Sequence, residues 1–579
     1  MPVIMFSRTP NTKRPRHGAF SLSRRLLRGL ALCLVLFSLA AQAADGPGRN
    51  AIASAHPAAT AAGHEILAAG GNAFDAAVAV SAALAVVEPY SSGIGGGGFW
   101  LIHRAEDGFT TMIDGRERAP LAAHRDMYLD AEGEVIPRAS VDGPLSAGIP
   151  GEPAALAHLA GTYGRLPLAE SLVPAIRLAE EGFAVDAHYR RMAGFRLEAL
   201  RASEDATRLF LRGANVPEEG TVIRQLELAA TLRALAERGH DGFYKGEVAE
   251  KLVNGVRAGG GIWSLQDLAD YEIVERDPVH GEYRGITVTA AAPPSSGGMV
   301  LVEALNILEG YDLQQMDAAT RTHVIVEAMR RAYRDRAEYL GDPDYVDMPL
   351  SRLTHPQYAA GLRAGIRLDR ATPSSLLPGV VDTTPKGEDT THFSIIDGDG
   401  NRVAATLSIN YPFGAAWVVP GTGVLLNDEM DDFSAKPGVP NVYGLVGAEA
   451  NAIEPGKRML SSMTPTFLDD GERIAVVGTP GGSRIISMVL LAALEFSEGR
   501  DAKAMVERRR FHHQFLPDAI QFEPLAFDDA LQLELQSRGH ELQPLDSSYG
   551  NMHVVIWDLE KRRVEAASDG RGVGKAEVR

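Results

Sequence analysis

Cysteine is almost missing from this 579-residue sequence: Cys33 is the only one. It falls in a segment expected to be removed, so the mature chain would carry no thiol. Disulfide frameworks, thiolate catalysis and cysteine-ligated metals are thereby excluded. Long hydrophobic runs are missing too, and the apolar stretch Leu30 to Ala40 is too short to span a bilayer. Residues 1–29 lack acids altogether but hold seven bases: Arg8, Lys13, Arg14, Arg16, Arg24, Arg25 and Arg28. With Ala41-Gln42-Ala43 as a small-x-small cleavage site, residues 1–43 read as a secretory signal peptide. The mature protein is then periplasmic or secreted, with no membrane anchor. The long basic region leaves the start codon open, at Met1, Met5 or later. Arg pairs are common in such regions, so Ser23-Arg24-Arg25 does not establish twin-Arg export, and Leu32 is too bulky for the lipoprotein box that Leu30 to Cys33 resembles.

Acids outnumber bases in the mature chain. Removing those seven bases takes the formal net charge from −18 to −25, which argues against nucleic acid or an anionic membrane as partner. Hydrophobic residues make up 45% of the chain, enough for a large core, and the length suggests more than one domain. No internal repeat is evident.

What the sequence does hold is a sharp change of texture at residue 390. Pro373 to Glu388 is rich in Pro, Ser, Thr and Gly without helical period, which predicts an exposed loop. Thr391 onwards alternates apolar and polar residues, turns at Asp397-Gly398-Asp399-Gly400-Asn401, and alternates again from Arg402 to Ile409. That is a hairpin pattern. Thr390 therefore sits where a loop enters a core strand, a place where the chain could be cut without losing the fold. A threonine hydroxyl becomes a nucleophile when a base takes its proton, and a chain-starting residue can use its own α-amine. Such an amine titrates near ~7.7–8, which suits general-base work. β-propensity alone also accounts for Thr-Thr at a strand start.

Elsewhere several patterns have two readings. Helical periods predict helices over Ala59 to Ala69, Ala73 to Val87, Pro167 to Glu181, Gln225 to Arg238 and Ala318 to Leu340. Gly93-Ile94-Gly95-Gly96-Gly97-Gly98 matches a dinucleotide fingerprint, but it follows a helix and precedes a strand, the reverse of what phosphate binding needs. It reads as a tight turn with close backbone packing. Arg116 between acids is either a solvated surface group or a fork for a carboxylate. Asn427 to Phe433 crowds four carboxylates, normally a solvated face; calcium-loop spacing is lacking, and Arg402 replaces the Gly that an Asp397-x-Asp399-x-Asn401 loop would need. No metal is expected. Gly478-Thr479-Pro480-Gly481-Gly482 before an apolar helix is an ordinary strand-to-helix turn, or two backbone N–H groups aimed at an oxyanion. His512-His513 lacks ligand partners at helical spacing and reads as structural.

Taken in order, Arg116, Thr390-Thr391-His392, Asn410, Glu429 to Asp432, Tyr443, Ser461-Ser462 and Gly481-Gly482 closely resemble the γ-glutamyltranspeptidase family, from about residue 49 to 579. The resemblance implies an α+β fold, the N-terminal-nucleophile hydrolase four-layer αββα sandwich with two stacked antiparallel sheets. It implies self-cleavage between Asp389 and Thr390, giving a large subunit of residues 44–389 and a small catalytic subunit of residues 390–579 that stay together as a heterodimer. Thr390 is the implied nucleophile, Ser408 its hydroxyl neighbour, and Gly481 and Gly482 the oxyanion donors. Arg116, Asn410, Glu429, Asp432, Tyr443, Ser461 and Ser462 would bind substrate: glutathione or another γ-glutamyl compound, with water, an amino acid or a dipeptide as acceptor. No cofactor is implied. A γ-glutamyl group carries an ammonium and a carboxylate on one carbon, so Asp432 and Arg116 are expected to supply an acid and a base held apart. Pro437 to Lys457, around Tyr443, resembles a lid that excludes water. Pro293 to Gly298 and Leu340 to Asp344 are also similar to the family and are assigned structural roles. Ser408 and Glu429 depart from the enterobacterial pattern of Thr and Gln, though both keep the needed chemistry, Glu429 as in animal members.

Two alternatives stand beside this reading. A glutaryl- or cephalosporin-type acylase shares the fold and the threonine but should lack an ammonium-binding acid. An unprocessed secreted binding protein would run as one intact chain.

Overall fold

Two antiparallel sheets carry the chain, and each draws strands from both sides of residue 390. A computed structural model describes residues 46–377 and 390–579; the expected signal peptide, Asp389 and most of the loop before it lie outside the described residues. The first sheet has seven strands in the order Lys575–Val578, Ala51–Ser54, Thr391–Ile396, Arg402–Ser408, Gly97–Arg104, Phe109–Gly115 and Val274–Arg276. The second has six, in the order Arg563–Ser568, His553–Asp558, Arg473–Gly478, Thr466–Asp469, Ile286–Ala290 and Val279–Tyr283. Because the segments before and after Thr390 interleave, neither can close a core alone. The several domains suggested by length give way, from Pro47 onwards, to one two-sheet unit.

Side-chain alternation builds the layers. Phe393, Ile395, Val403, Ala405 and Leu407 turn outward onto a helical layer dominated by Ala73–Val87, whose fifteen residues are all buried. Ile396, Ala404, Phe99 and Leu101 turn inward toward Ala475, Val477 and Val554 of the second sheet. The far side of that sheet is covered by Gly297–Leu308 and Ile485–Ser497. Helix, sheet, sheet, helix is the expected sandwich.

Local chemistry sets the ends of the elements. The helix Ala73–Val87 starts on a capping box, in which Asn72 Oδ1 accepts from the Phe74 and Asp75 amides while Asp75 Oδ2 accepts from the Asn72 amide. It stops at Glu88, immediately before Pro89. The hairpin tip is held by Asp397, whose carboxylate accepts from the amides of Asp399, Asn401 and Ala73 and from the Asn401 side chain. Those bonds occupy the oxygens a cation would use. One expected helix is broken: Pro167 to Glu181 forms Leu168–Ser171 and Val173–Glu181, because Pro174 has no N–H to continue the first turn. The glycine run packs backbone on backbone, with Gly96 against the Ser408 carbonyl and no room for a side chain.

Candidate active site

The register of the central hairpin places the threonine. Leu407 pairs with Thr391 and Thr406 with His392, so one further step sets Thr390 across from Ser408. Alternation then separates its neighbours. Thr391 points to the helical layer and donates to Glu88 Oε2 at 2.8 Å, and burial pushes the Glu88 carboxyl up to about 7 against that bond. His392 points between the sheets, hydrogen-bonded to Thr406 Oγ1 at 2.8 Å and Ser394 Oγ at 3.1 Å. Burial holds its ring well below the ordinary histidine value, so the ring is neutral.

Thr390, Ser408, Asn410, Glu429, Asp432, Tyr443, Ser461, Ser462 and Gly482 line one cleft, together with Leu445, Met463, Ser483 and Ile485. Ser408 Oγ accepts from the Asn410 amide at 2.7 Å, and Asn410 Nδ2 donates to the Asp428 carbonyl at 3.0 Å. Asn410 holds φ at 72°, a left-handed conformation that Asn tolerates better than most residues. Gly481 adjoins Gly482, and Arg116 stands directly behind the acidic wall.

That wall is a buried ion cluster, and here the structure corrects an expectation. Arg116 and Asp432 are not held apart: Arg116 Nη2 donates to Asp432 Oδ2 at 2.5 Å, and Nη1 pairs with Glu429 Oε1. Arg116 Nε donates to the Met459 carbonyl at 3.1 Å, and Glu117 Oε2 lies 3.6 Å from Nη1. In a dry site each of these charges alone would be stranded, so they neutralise one another. Three carboxyls share one guanidinium, and they cannot all ionise. Burial raises Glu117 well above the carboxylate range, pushes Glu429 up to about 7 and also raises Asp432, with Arg116 opposing. The acidic run is therefore buried chemistry, not a solvated face.

On the opposite side, Gly481 and Gly482 take φ of 139° and 53°, which their lack of Cβ permits. Among the described residues their amide N–H groups are not taken up by other hydrogen bonds. The Tyr443 ring covers Gly482, and Tyr443 OH donates to the Asn410 carbonyl at 2.5 Å. The segment expected as a lid is thus closed over the turn.

Sequence reasoning missed the groups behind the cleft. Ser296, assigned a merely structural turn, donates from its amide and its hydroxyl to the Ser461 carbonyl, at 2.8 and 2.7 Å. Arg336, within the helix Ala318–Tyr339, donates to Ser296 Oγ at 2.9 Å and Ser462 Oγ at 3.1 Å. A helical arginine near a C-terminus ordinarily reads as solvated, so only its place just before Leu340-Gly341-Asp342-Pro343 could have marked it. Glu88 and Glu117 were passed over for the same reason, as charged residues expected at the surface.

Metal-binding chemistry is poorly served. Among the described residues, one group, His323, Glu327 and His540, brings its ligand atoms within 4.8 Å of one another. Glu327 is already committed to Arg331 at 2.6 Å, to Thr372 Oγ1 at 2.6 Å and to Arg330. His512 hydrogen-bonds Ser487 and Gln514, and His513 pairs with Asp518 at 3.2 Å. Each of these two histidines thus has a side-chain partner within the fold.

A family model described as Gamma-glutamyltranspeptidase matches residues 59–578. The chain belongs to the γ-glutamyltranspeptidase family. It is 46% identical over 529 residues to a glutathione hydrolase proenzyme of Pseudomonas sp. (strain A14), covering 89% of this chain and 91% of that protein. The crystal structure of a cephalosporin acylase from Bacillus halodurans matches with a TM-score of 0.80 at 30% identity, over 91% of this chain and 95% of that one. A chain of Helicobacter pylori γ-glutamyltranspeptidase matches with a TM-score of 0.55 at 40% identity, over 56% of this chain and 94% of that one. A γ-glutamyltranspeptidase is an enzyme of acyl transfer and hydrolysis, and the two-sheet architecture is that of its fold class. No helix among the described residues is long and apolar enough to cross a membrane.

Proposed function

We propose that the protein is an exported proenzyme that cleaves itself before Thr390 and then transfers the γ-glutamyl group of glutathione and related amides to water or an amine. The observation that carries this reading is the shared cleft, in which Thr390 meets both Gly482 and the acids paired to Arg116. In maturation, Thr390 Oγ attacks the Asp389 carbonyl, the peptide nitrogen leaves as the α-amine, and water hydrolyses the resulting ester. Residues 44–389 and 390–579 then remain together because strands of one pair with strands of the other in both sheets. In turnover, the α-amine accepts the Thr390 hydroxyl proton and Oγ attacks the γ-carbonyl. The N–H groups of Gly481 and Gly482 stabilise the oxyanion, and the protonated amine gives its proton to the leaving nitrogen. Water or an acceptor amine next attacks the ester by the same route. Ser408 and Asn410 would orient the nucleophile and substrate. Arg116, Ser461 and Ser462 would take the α-carboxylate, Asp432 and Glu429 the α-ammonium, and Tyr443 would close the site. The exported leader would place the enzyme in the periplasm or outside the cell.

The acylase reading draws on the structural likeness to a cephalosporin acylase. It is disfavoured by the two acids on Arg116, which an ammonium-free acyl group would not need. The test is denaturing mass analysis of the protein and of Thr390→Ala, followed by turnover of a γ-glutamyl anilide with and without glycylglycine. The parent is expected as two chains meeting at Asp389–Thr390 with amine-stimulated turnover, and the variant as one uncut, inactive chain. Cleavage of the variant at the same bond would remove the autocatalytic account.

A further inference from the structure

Two arginines stand behind the acidic and hydroxyl walls of the cleft, and their charges are not equally compensated. Arg116 is paired with both Glu429 and Asp432. Arg336 is also buried, at 4% exposure, yet its side chain contacts hydroxyls, and the charge of Asp432 acts on it without a direct ion pair among the described residues. Its partners are hydroxyls: Ser296 Oγ at 2.9 Å and Ser462 Oγ at 3.1 Å. Ser462 lines the cleft, and Ser296 ties to Ser461 through two hydrogen bonds to its carbonyl. The helix Ala318–Tyr339 therefore turns this arginine inward, although its last turn favours cations exposed near the carbonyl ends.

A charge buried without a counter-ion in contact is costly and calls for a reason. Burial brings the Arg336 guanidinium down to about 10, with Asp432 opposing and Arg116 reinforcing, so it stays cationic at neutral pH. Tyr333 is the other titratable group acting on it. With Asp432 and Glu429 ionised, Arg116 and its two acids sum to one negative charge, an unfavourable reception for a carboxylate. Including Arg336 brings the cluster to neutrality, which suits a zwitterion entering with one charge of each sign.

We infer that Arg336 is a positioning and specificity residue for the substrate's α-carboxylate, acting through Ser462 and through its charge rather than by contact with the reacting atoms. This rests on the γ-glutamyl reading and names a determinant of its selectivity. An arginine is suited to the task because its planar fork spans two hydroxyls at once and keeps its charge when buried.

The test compares kcat/KM on three anilides: γ-glutamyl, glutaryl (carboxylate without ammonium) and 4-aminobutyryl (ammonium without carboxylate). Arg336→Gln keeps donors for the serines but removes the charge; Arg336→Lys keeps the charge but loses the fork. In Arg336→Gln the ratio of γ-glutamyl to 4-aminobutyryl turnover is expected to fall about 10- to 100-fold, the effect of one unit charge a few ångströms away in a poorly solvated site. The glutaryl compound should fall alongside γ-glutamyl. In Arg336→Lys, which keeps the charge but loses the fork to Ser462, the same ratio should fall by less, about 3- to 10-fold. A merely structural role would lower all three anilides together in Arg336→Gln, and that result overturns the inference. So does a ratio left unchanged in Arg336→Lys. Should Arg336→Gln fail to self-cleave, the Arg336→Lys ratio still decides. If the parent itself shows no preference for γ-glutamyl over 4-aminobutyryl, the γ-glutamyl reading fails, an outcome distinct from failure at Arg336.

Discussion

The Asn441 side chain donates to Asp432 Oδ1 at 3.0 Å, joining the covering segment to an acid proposed to hold the substrate's ammonium. Asn441 also shapes that segment, its Oδ1 accepting from the Tyr443 and Leu445 amides at 3.0 and 3.1 Å. Next door, Val442 N donates to Asp431 Oδ2 at 2.9 Å. The cover is thus latched to neighbouring aspartates, and a substrate engaging Asp432 acts on the latch. Asn441→Ala removes a hydrogen bond to a charged group, worth ~1.5–3 kcal/mol. The ratio of glycylglycine transfer to hydrolysis is expected to fall roughly 3- to 10-fold, with hydrolysis itself surviving, because a loosened cover admits water. An unchanged ratio removes the cover from acceptor selection.

Gly482 gives a sharper test. A Cβ there would lie 2.6 Å from the Tyr443 ring, on a backbone already at φ 53°. Gly482→Ala must either displace Tyr443 or shift the turn, and either spoils the direction of the Gly481 and Gly482 amides. Removal of one oxyanion donor typically costs ~100- to 1,000-fold in kcat. We expect a loss of that size in γ-glutamyl anilide turnover, with substrate affinity changed far less. A kcat within threefold of the parent's would mean that the oxyanion is stabilised elsewhere.

Glu429 sets a pH dependence that can be separated from that of the nucleophile. Burial raises its carboxyl to about 7, with Arg116 opposing and Asp432 and Asp431 reinforcing the rise. It is protonated below that value and anionic above it, so its attraction for an ammonium grows as pH rises. The Thr390 α-amine affects every substrate alike and cancels in a ratio. The preference for γ-glutamyl over glutaryl anilide should therefore increase as pH rises through about 7. Glu429→Gln should flatten that rise, because no group titrates there and its loss lowers the neighbouring acids. A rise that persists unchanged in Glu429→Gln assigns it to another carboxyl, with Asp431, raised to about 6, the nearest candidate.

How much of this was legible in the sequence differs by residue. The helix Ala73–Val87 was expected at its observed ends, since Asn72 and Asp75 form a local cap and Pro89 a local stop. The strand after Thr390 was legible from period-2 alternation, which is also local. Arg116 and Asp432 could be singled out by motif, but not their contact, because 316 residues separate them and only the folded sandwich brings them together. Arg336 was illegible for a related reason. Its sequence neighbours, Arg334, Asp335 and Glu338, give the pattern of a wet helix face, and its burial depends on Ser296 and Ser462, which lie 40 and 126 residues away. Local signals specify elements and caps, whereas the sign and balance of charge in the site emerge only from long-range packing.

The substrate class itself turns on Asp432. It is nearly enclosed, accepts from Arg116 at 2.5 Å and from Asn441 at 3.0 Å, and borders the cleft that holds Thr390. Asp432→Asn removes its charge while keeping its shape, so Arg116 loses one of two counter-ions and an incoming ammonium loses its acid. Loss of one side of a buried ionic contact costs ~2–5 kcal/mol. At about 1.36 kcal/mol per decade, kcat/KM for γ-glutamyl anilide should fall roughly 30- to several-thousand-fold. Glutaryl anilide brings a carboxylate and no ammonium, and in the variant it meets an Arg116 that is less neutralised. It should lose far less, or gain. Parallel kinetics on the two anilides therefore separate the readings. A parent that prefers glutaryl anilide, or a variant that loses both activities equally, would take the ammonium away from Asp432 and put the acylase reading ahead.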